Sequence, residues 1–263
     1  MRHTIRRLGL SLAAVSGLLA LGGRASADVV DLTTAGSSGT INGALFQQTG
    51  PQPTGTGVID PFVRIQNKGV EQGYNTDARP VQFDEKTAAN FTRSLLLSSV
   101  PVVTINGTAY RQFLLDINET GSKTGPLLSL DRIQVFQANS GSLNNYPNLG
   151  KQIYDLDAGG NNSILLNYDL NPGSGAGDMF AYIPDSLFDR SIPYVYLYSH
   201  FGSDIANAAP DAGFEEWAVL QGANAVNEVP APATLIFACL ASVLGLAGYT
   251  RRRMREKRAA PTS

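Results

Sequence analysis

The chain has 263 residues, 43% hydrophobic and 16% charged, with 27 Gly, 14 Pro, two His and one Cys. It is too apolar for a disordered chain, and one Cys excludes an intrachain disulfide or a thiolate zinc cage. The whole-chain charge of −2 hides a division: Asp28 to Glu228 holds 21 acidic and 10 basic residues, a net −11, and the other 10 basic residues lie in the two terminal segments. Nucleic acid is therefore excluded as a partner of the body, because phosphates need a basic face.

Residues 1–27 read as an export signal. Arg2, Arg6 and Arg7 form a basic start, Leu8 to Leu21 an apolar run, and Ala25-Ser26-Ala27 a small-x-small pattern for signal peptidase, with cleavage expected after Ala27. Residues 28–226 form the expected ectodomain. Short apolar runs cut by Gly, Pro, Asn, Ser and Asp predict an all-β domain, an antiparallel β-sandwich of jelly-roll-like type. Predicted strands are Thr40–Phe46, Phe62–Gln66, Ser94–Leu97, Val102–Ile105, Thr108–Ile117, Leu127–Ala138, Ser163–Leu170, Met179–Ile183, Tyr194–Ser199 and Glu216–Leu220. The segment Gly50 to Gly57, rich in Gly, Pro and Thr, reads as a long loop.

Asn106-Gly107 between two strand-like runs predicts a two-residue hairpin, because Asn-Gly accepts the positive φ that a type I′ turn requires at both centres. In the second strand, Ala109, Phe113, Leu115 and Ile117 share one face, broken by Arg111, and Tyr110, Gln112, Asp116 and Asn118 take the other. That alternation predicts a sheet with one buried side.

Candidate sites follow in chain order. Asp155, Asp157 and Asn161 offer hard oxygens near Gly159-Gly160, like the start of a Ca²⁺ loop. The fifth position lacks a carboxylate, Leu166 occupies the twelfth, and an Asp/Asn/Gly turn is the competing reading. Ca²⁺ is the one cofactor considered. Gly173, Gly175 and Gly177 have a phosphate-loop rhythm, but a strand-like run follows where a helix is needed. Tyr194, Tyr196 and Tyr198 alternate and predict an aromatic row on one sheet face; with Trp217 they are candidates for stacking on a sugar ring. Strand preference alone also explains tyrosines there. After export His200 is the only histidine, with no Gly-x-Ser-x-Gly elbow to complement it. Glu215 and Glu216 are adjacent and should face opposite sides of a strand, so they make no hydrolytic acid pair. No catalytic constellation emerges.

The C-terminal segment is legible in other terms. Ala233 to Tyr249 carries no charge and has 17 residues, near the lower limit for a spanning helix. Arg251, Arg252, Arg253, Arg255, Lys257 and Arg258 follow, a basic tail (251–258) that stays on the cytoplasmic side. One topology satisfies both ends: ectodomain outside, one transmembrane helix (233–249) in the inner membrane, tail inside.

The order Val229-Pro230-Ala231-Pro232, a weakly hydrophobic helix, then Arg251-Arg252-Arg253 resembles the PEP-CTERM sorting signal of Gram-negative bacteria, over residues 227–258. Ala231 stands where that family usually has Glu. The resemblance implies an exosortase-type processing enzyme as partner and delivery to the cell surface or extracellular matrix. The phrases YDLDAGG, GSGAGDMF, YVYLYSHFG and GFEEWAV are similar to those in a group of exported PEP-CTERM proteins with no established activity. The expected role is that of an exported envelope or biofilm-matrix protein, structural or adhesive, in contact with exopolysaccharide. The alternatives are an extracellular polysaccharide hydrolase and a plain single-pass membrane protein that is not processed.

Overall fold

The computed structural model describes residues 27–53, 58–119, 125–173, 176–211 and 213–221. They form strands β1 (Val29–Asp31), β2 (Ser38–Ile41), β3 (Ala44–Pro53), β4 (Ile59–Ile65), β5 (Glu71–Tyr74), β6 (Leu95–Leu96), β7 (Val102–Ile105), β8 (Thr108–Asn118), β9 (Leu127–Ala138), β10 (Lys151–Asp155), β11 (Ser163–Asn167), β12 (Ala176–Pro184), β13 (Tyr194–Phe201) and β14 (Phe214–Leu220). The helical content of these residues is three single 3₁₀ turns, at Leu97–Ser99, Tyr168–Leu170 and Asp185–Leu187. Among the described residues no helix is long and apolar enough to cross a membrane. The predicted helix 233–249, the basic tail, the Pro-x-Pro element and residues 1–26 of the export signal lie outside the described residues.

The strands build two sheets. One runs β1-β11-β9-β13-β5, with β10 also on β9 and β6 on β13. The other runs β2-β3-β12-β8-β14-β4, with β7 also on β8. Every described pair is antiparallel except β1 with β11. The sheets pack face to face over one apolar cluster. The β9 sheet contributes Leu128, Leu130, Ile133, Val135, Val195 and Leu197; the β8 sheet contributes Phe46, Phe62, Phe113, Leu115, Ile117 and Trp217. Burial of such side chains is the main stabilising term in a sandwich of this size. The Trp217 indole N–H donates to Ser199 Oγ at 3.1 Å, tying one sheet to the other inside the core.

Local turn chemistry sets the registers. Asn106 and Gly107 have φ of 50° and 80°, and Ile105 pairs with Thr108 across the expected turn. Asn42 and Gly43, with φ of 50° and 84°, make a second such turn between β2 and β3, which divides the predicted strand Thr40–Phe46. Strand β3 also continues through Gly50 to Pro53, pairing with Ala176 and Gly177, so the first four residues of the predicted loop are strand; residues 54–57 lie outside the described residues. Strands β1, β5 and β10 were not predicted; each is five residues or fewer and takes its place from a longer neighbour.

The face assignment along β8 holds: Phe113, Leu115 and Ile117 lie in the inter-sheet core. The expectation of one buried side does not. Gln112, Leu114 and Asp116 on the other face are each 1% exposed. Arg111 sits among the inner residues because its Nε–H donates to Asp185 Oδ1 at 2.7 Å and its Nη1 reaches the carbonyls of Leu97 and Val100. Such a charge stays buried only when paired and hydrogen-bonded.

Phe113 is fully buried and meets Phe62 edge-on at 6.2 Å. Phe113→Ala should lower the unfolding free energy by about 3–5 kcal/mol, the usual cost of a buried Phe deletion. Urea denaturation checks this, with Leu187→Ala at an exposed turn as the near-neutral control.

Candidate functional site

The tyrosine row lies on the outer face of the β9 sheet, but it is not an open platform. Tyr196 and Tyr198 are 1% and 2% exposed, and Tyr194 is half-buried. Tyr146 stacks on Tyr198 with centroids 4.0 Å apart and planes 18° apart. Phe83 meets Tyr198 edge-on at 6.2 Å, and Leu143 and Leu149 complete the cluster. The Tyr196 hydroxyl donates to the Ser140 carbonyl and accepts from the Leu143 N–H; that of Tyr198 donates to Gln72 Oε1. Trp217 lies in the inter-sheet core, on the opposite side of this sheet from the row. The sugar-stacking expectation is corrected accordingly: the faces a sugar would use are occupied by the chain's own loops. Alternation in a strand shows which residues share a face and not what covers it.

The Asp155 loop is likewise engaged by protein donors. Asp155 Oδ2 accepts from Gln134 Nε2 at 2.9 Å and Gln152 Nε2 at 2.7 Å, and its Oδ1 accepts from the Asp157 N–H at 3.0 Å. Asp157 Oδ1 accepts from the Asn162 N–H, and Oδ2 faces Arg132 Nε at 3.3 Å. Asn161 Nδ2 donates to Asp204 Oδ2 at 2.9 Å. Oxygens aimed at N–H groups form a turn rather than a cation cage, and the Ca²⁺-loop expectation gives way to that reading. Among the described residues no group of three His, Cys, Asp or Glu side chains is placed to hold a metal.

His200 meets an acid. A bulge between His200 and Phe201 leaves Asp131 unpaired in the ladder, and its Oδ2 lies 3.5 Å from His200 Nδ1. Asp131 also accepts from the Ser129 hydroxyl and from the Ser203 N–H at 2.6 Å and hydroxyl at 3.0 Å. Burial works against its charge, but His200, Ser129 and Ser203 together hold the carboxyl below its ordinary range. Both serine hydroxyls point at the carboxylate, not at the histidine. A triad needs the order Ser, His, Asp, so this cluster fastens the end of β13 instead.

A further group of acids was not foreseen. Glu71, Glu119 and Glu215 are 0%, 2% and 0% exposed. Glu71 Oε2 accepts from the Asn67 N–H and Glu119 Oε2 from the Asp211 N–H, both at 2.8 Å. Among the described residues, one oxygen of each, and both oxygens of Glu215, have no hydrogen-bond partner. Burial pushes Glu71 up to about 8, with the charge of Glu119 adding to it, and pushes Glu119 up to about 8, with Asp211 adding to it. Glu216 points to the other face, as expected, where Arg64 Nε and Nη2 bind it at 2.8 and 2.7 Å. The Arg64 guanidinium is held between the rings of Phe91 and Phe214, at 4.0 and 4.1 Å.

The outer face of the β8 sheet carries the other unforeseen feature, a second apolar cluster of Ile59, Val103, Ile105, Leu114, Phe180, Tyr182, Ala218 and Leu220. Its signal was present in the sequence: Phe113-Leu114-Leu115, Met179 to Ile183 and Trp217 to Leu220 are unbroken apolar runs, the pattern of strands buried on both faces. A depression of about 280 Å³ is lined by Leu96, Leu97, Ser98, Arg111, Arg190 and Pro193, without an acid pair.

No family model, no curated protein and no solved structure matches this chain.

The raised acids set the sign of the pH response. Between the ordinary glutamate value and about 8 the native chain binds more protons than the unfolded one, so stability falls as pH rises through that window. The urea midpoint should be higher at pH 5 than at pH 9. In Glu71→Gln and Glu119→Gln the decline should flatten; equal slopes in wild type and variants would contradict the assignment.

Proposed function

We propose that this chain is an exported envelope or extracellular-matrix protein with a structural role, delivered by a PEP-CTERM-like tail and not acting as an enzyme. The observation that carries this reading is the order of segments after the acidic body: Val229-Pro230-Ala231-Pro232, an uncharged stretch from Ala233 to Tyr249, then Arg251-Arg252-Arg253. An exosortase-type enzyme in the inner membrane acts on this tail, and the body passes to the cell surface or matrix. Pro-x-Pro disfavours regular structure before the helix and leaves an extended segment for the enzyme. The jelly-roll-like form belongs to this proposal; β8, β9, β12, β13 and β14 alternating between the two sheets supports it.

The non-enzymatic reading draws support from the polar groups themselves. Asp131, Asp155 and Asp157 are spent on N–H and O–H donors that fasten strands and turns. Glu215 and Glu216 face opposite sides, which removes the adjacent pair from the hydrolase alternative. Any exopolysaccharide contact would use surface other than Tyr196 and Tyr198, which are buried.

The test is the C-terminal mass of the protein recovered from the matrix fraction of its native host. The mature product should lack residues 251–258. A matrix product that still carries Arg251 to Arg258 contradicts the sorting step.

A further inference from the structure

Two arginines hold the same carboxylate. Arg111 on β8 donates from Nε to Asp185 Oδ1 at 2.7 Å, and Arg190, between β12 and β13, donates from Nη2 to Asp185 Oδ2 at 3.0 Å. Both arginines line the depression of about 280 Å³, together with Leu96, Leu97, Ser98 and Pro193. Arg190 reaches into water, its side chain 77% exposed, whereas Arg111 is 8% exposed. Arg111 Nη1 donates to the carbonyls of Leu97 and Val100, at 3.1 and 2.8 Å, the first residue and the cap of the 3₁₀ turn that forms one wall. The Leu97 N–H donates to the Pro193 carbonyl at 2.8 Å, which fastens that wall to its neighbour. Arg111 Nη2 has no hydrogen-bond partner among the described residues. Cation and walls are thus fixed to each other in advance, with one donor of a nearly buried guanidinium left over.

The charge balance is local. Two guanidiniums against one carboxylate leave one positive charge here, within a body of net charge −11. Asp189, on the same segment, spends its Oδ1 on the Ser191 N–H and hydroxyl and has the charge of Lys151 acting on it. Salt screens exposed charges beyond about 8 Å at physiological ionic strength, so a bound group responds to these arginines and little to distant acids. A guanidinium edge with unused N–H groups suits a planar carboxylate. One excess charge balances a monoanion and leaves a phosphate monoester half compensated. Around the cations the lining is apolar, with Leu96 exposed, and Ser98 adds a hydroxyl. The volume lies at the small end of ligand sites, about 300 Å³, which is room for a ring and not for a long segment.

We infer that this depression binds a uronic acid residue of an acidic polysaccharide. The ring carboxylate meets Arg111 Nη2 and Arg190, and the C–H face of the ring lies on Leu96 and Pro193. An acidic peptide fits less well, because extended peptides are held along a strand edge and β6 beside the site has two residues. The inference deepens the exopolysaccharide contact and rests on the matrix reading for the source of the ligand. Sugar titration and the C-terminal mass fail independently of each other.

The experiment is isothermal titration of the full chain in a polyoxyethylene detergent, which carries no sugar. The probes are methyl glucuronide, methyl glucoside, glucose 6-phosphate and N-acetyl-aspartate. Methyl glucuronide should saturate one site and bind at least about tenfold more tightly than the other three, the worth of a charge-assisted hydrogen bond. Arg190→Ala should weaken it about fivefold, as for an exposed charge. Leu96→Asp, which sets a like charge on the open wall, should weaken it more than about tenfold. Arg132→Ala removes an equal charge from a half-exposed position on β9 and should change nothing. All three substituted side chains reach solvent, and circular dichroism verifies each fold. Absence of saturable methyl glucuronide binding, or equal or tighter binding of any other probe, would overturn the proposal. So would unchanged affinity in Arg190→Ala and Leu96→Asp, or an equal loss in Arg132→Ala.

Discussion

A sheet that is apolar on both faces must be covered twice, and this requirement governs the molecule. Antiparallel sheets usually leave one face wet, which gives alternating strands. Strands β8, β12 and β14 do not alternate. Phe113, Leu115, Met179, Ala181, Trp217 and Val219 enter the inter-sheet core, and Leu114, Phe180, Tyr182 and Ala218 enter a second cluster behind it. The first set fixes the sandwich. The second makes the outer face of these strands nearly as buried as the inner one.

The two outer faces meet this demand differently. On the β9 sheet, the segments around Phe83 and Leu143–Leu149 fold back over Tyr74, Tyr196 and Tyr198, and stacking at 4.0 Å with hydrogen-bonded hydroxyls makes a finished surface. On the β8 sheet the carboxyls beside the apolar patch are met by the protein itself: Arg64 binds Glu216, and Asp178, which burial pushes up to about 9, accepts the Ile117 N–H. An aromatic cluster sealed by its own loops is a structural device.

Much of the fold was legible in the sequence. Asn106-Gly107 announced its hairpin because few dipeptides accept positive φ twice, and Asn42-Gly43 carried the same signal but was read through as strand. The short strands β1, β5 and β10 were not legible, since Val29–Asp31, Glu71–Tyr74 and Lys151–Asp155 have too few residues to show a period. The candidate sites divide along the same line. Which residues share a face follows from alternation, so the tyrosine row and the opposed directions of Glu215 and Glu216 were foreseen. What lies above a face depends on distant loops, and so the covering of Tyr198 by Tyr146 and the meeting of His200 with Asp131 were not. The donors that fill the Asp155 loop, Gln134 and Gln152, come from β9 and β10, and spacing within the loop carries no trace of them.

Hydroxyl-radical footprinting of the folded chain, with the urea-unfolded chain as reference, tests the burial of both faces of the β8 sheet most directly. Phe180 and Tyr182 on the outer face should be protected to nearly the same degree as Phe113 in the inter-sheet core. Protection of Phe113 alone, with Phe180 and Tyr182 as reactive as in the unfolded chain, would contradict the account.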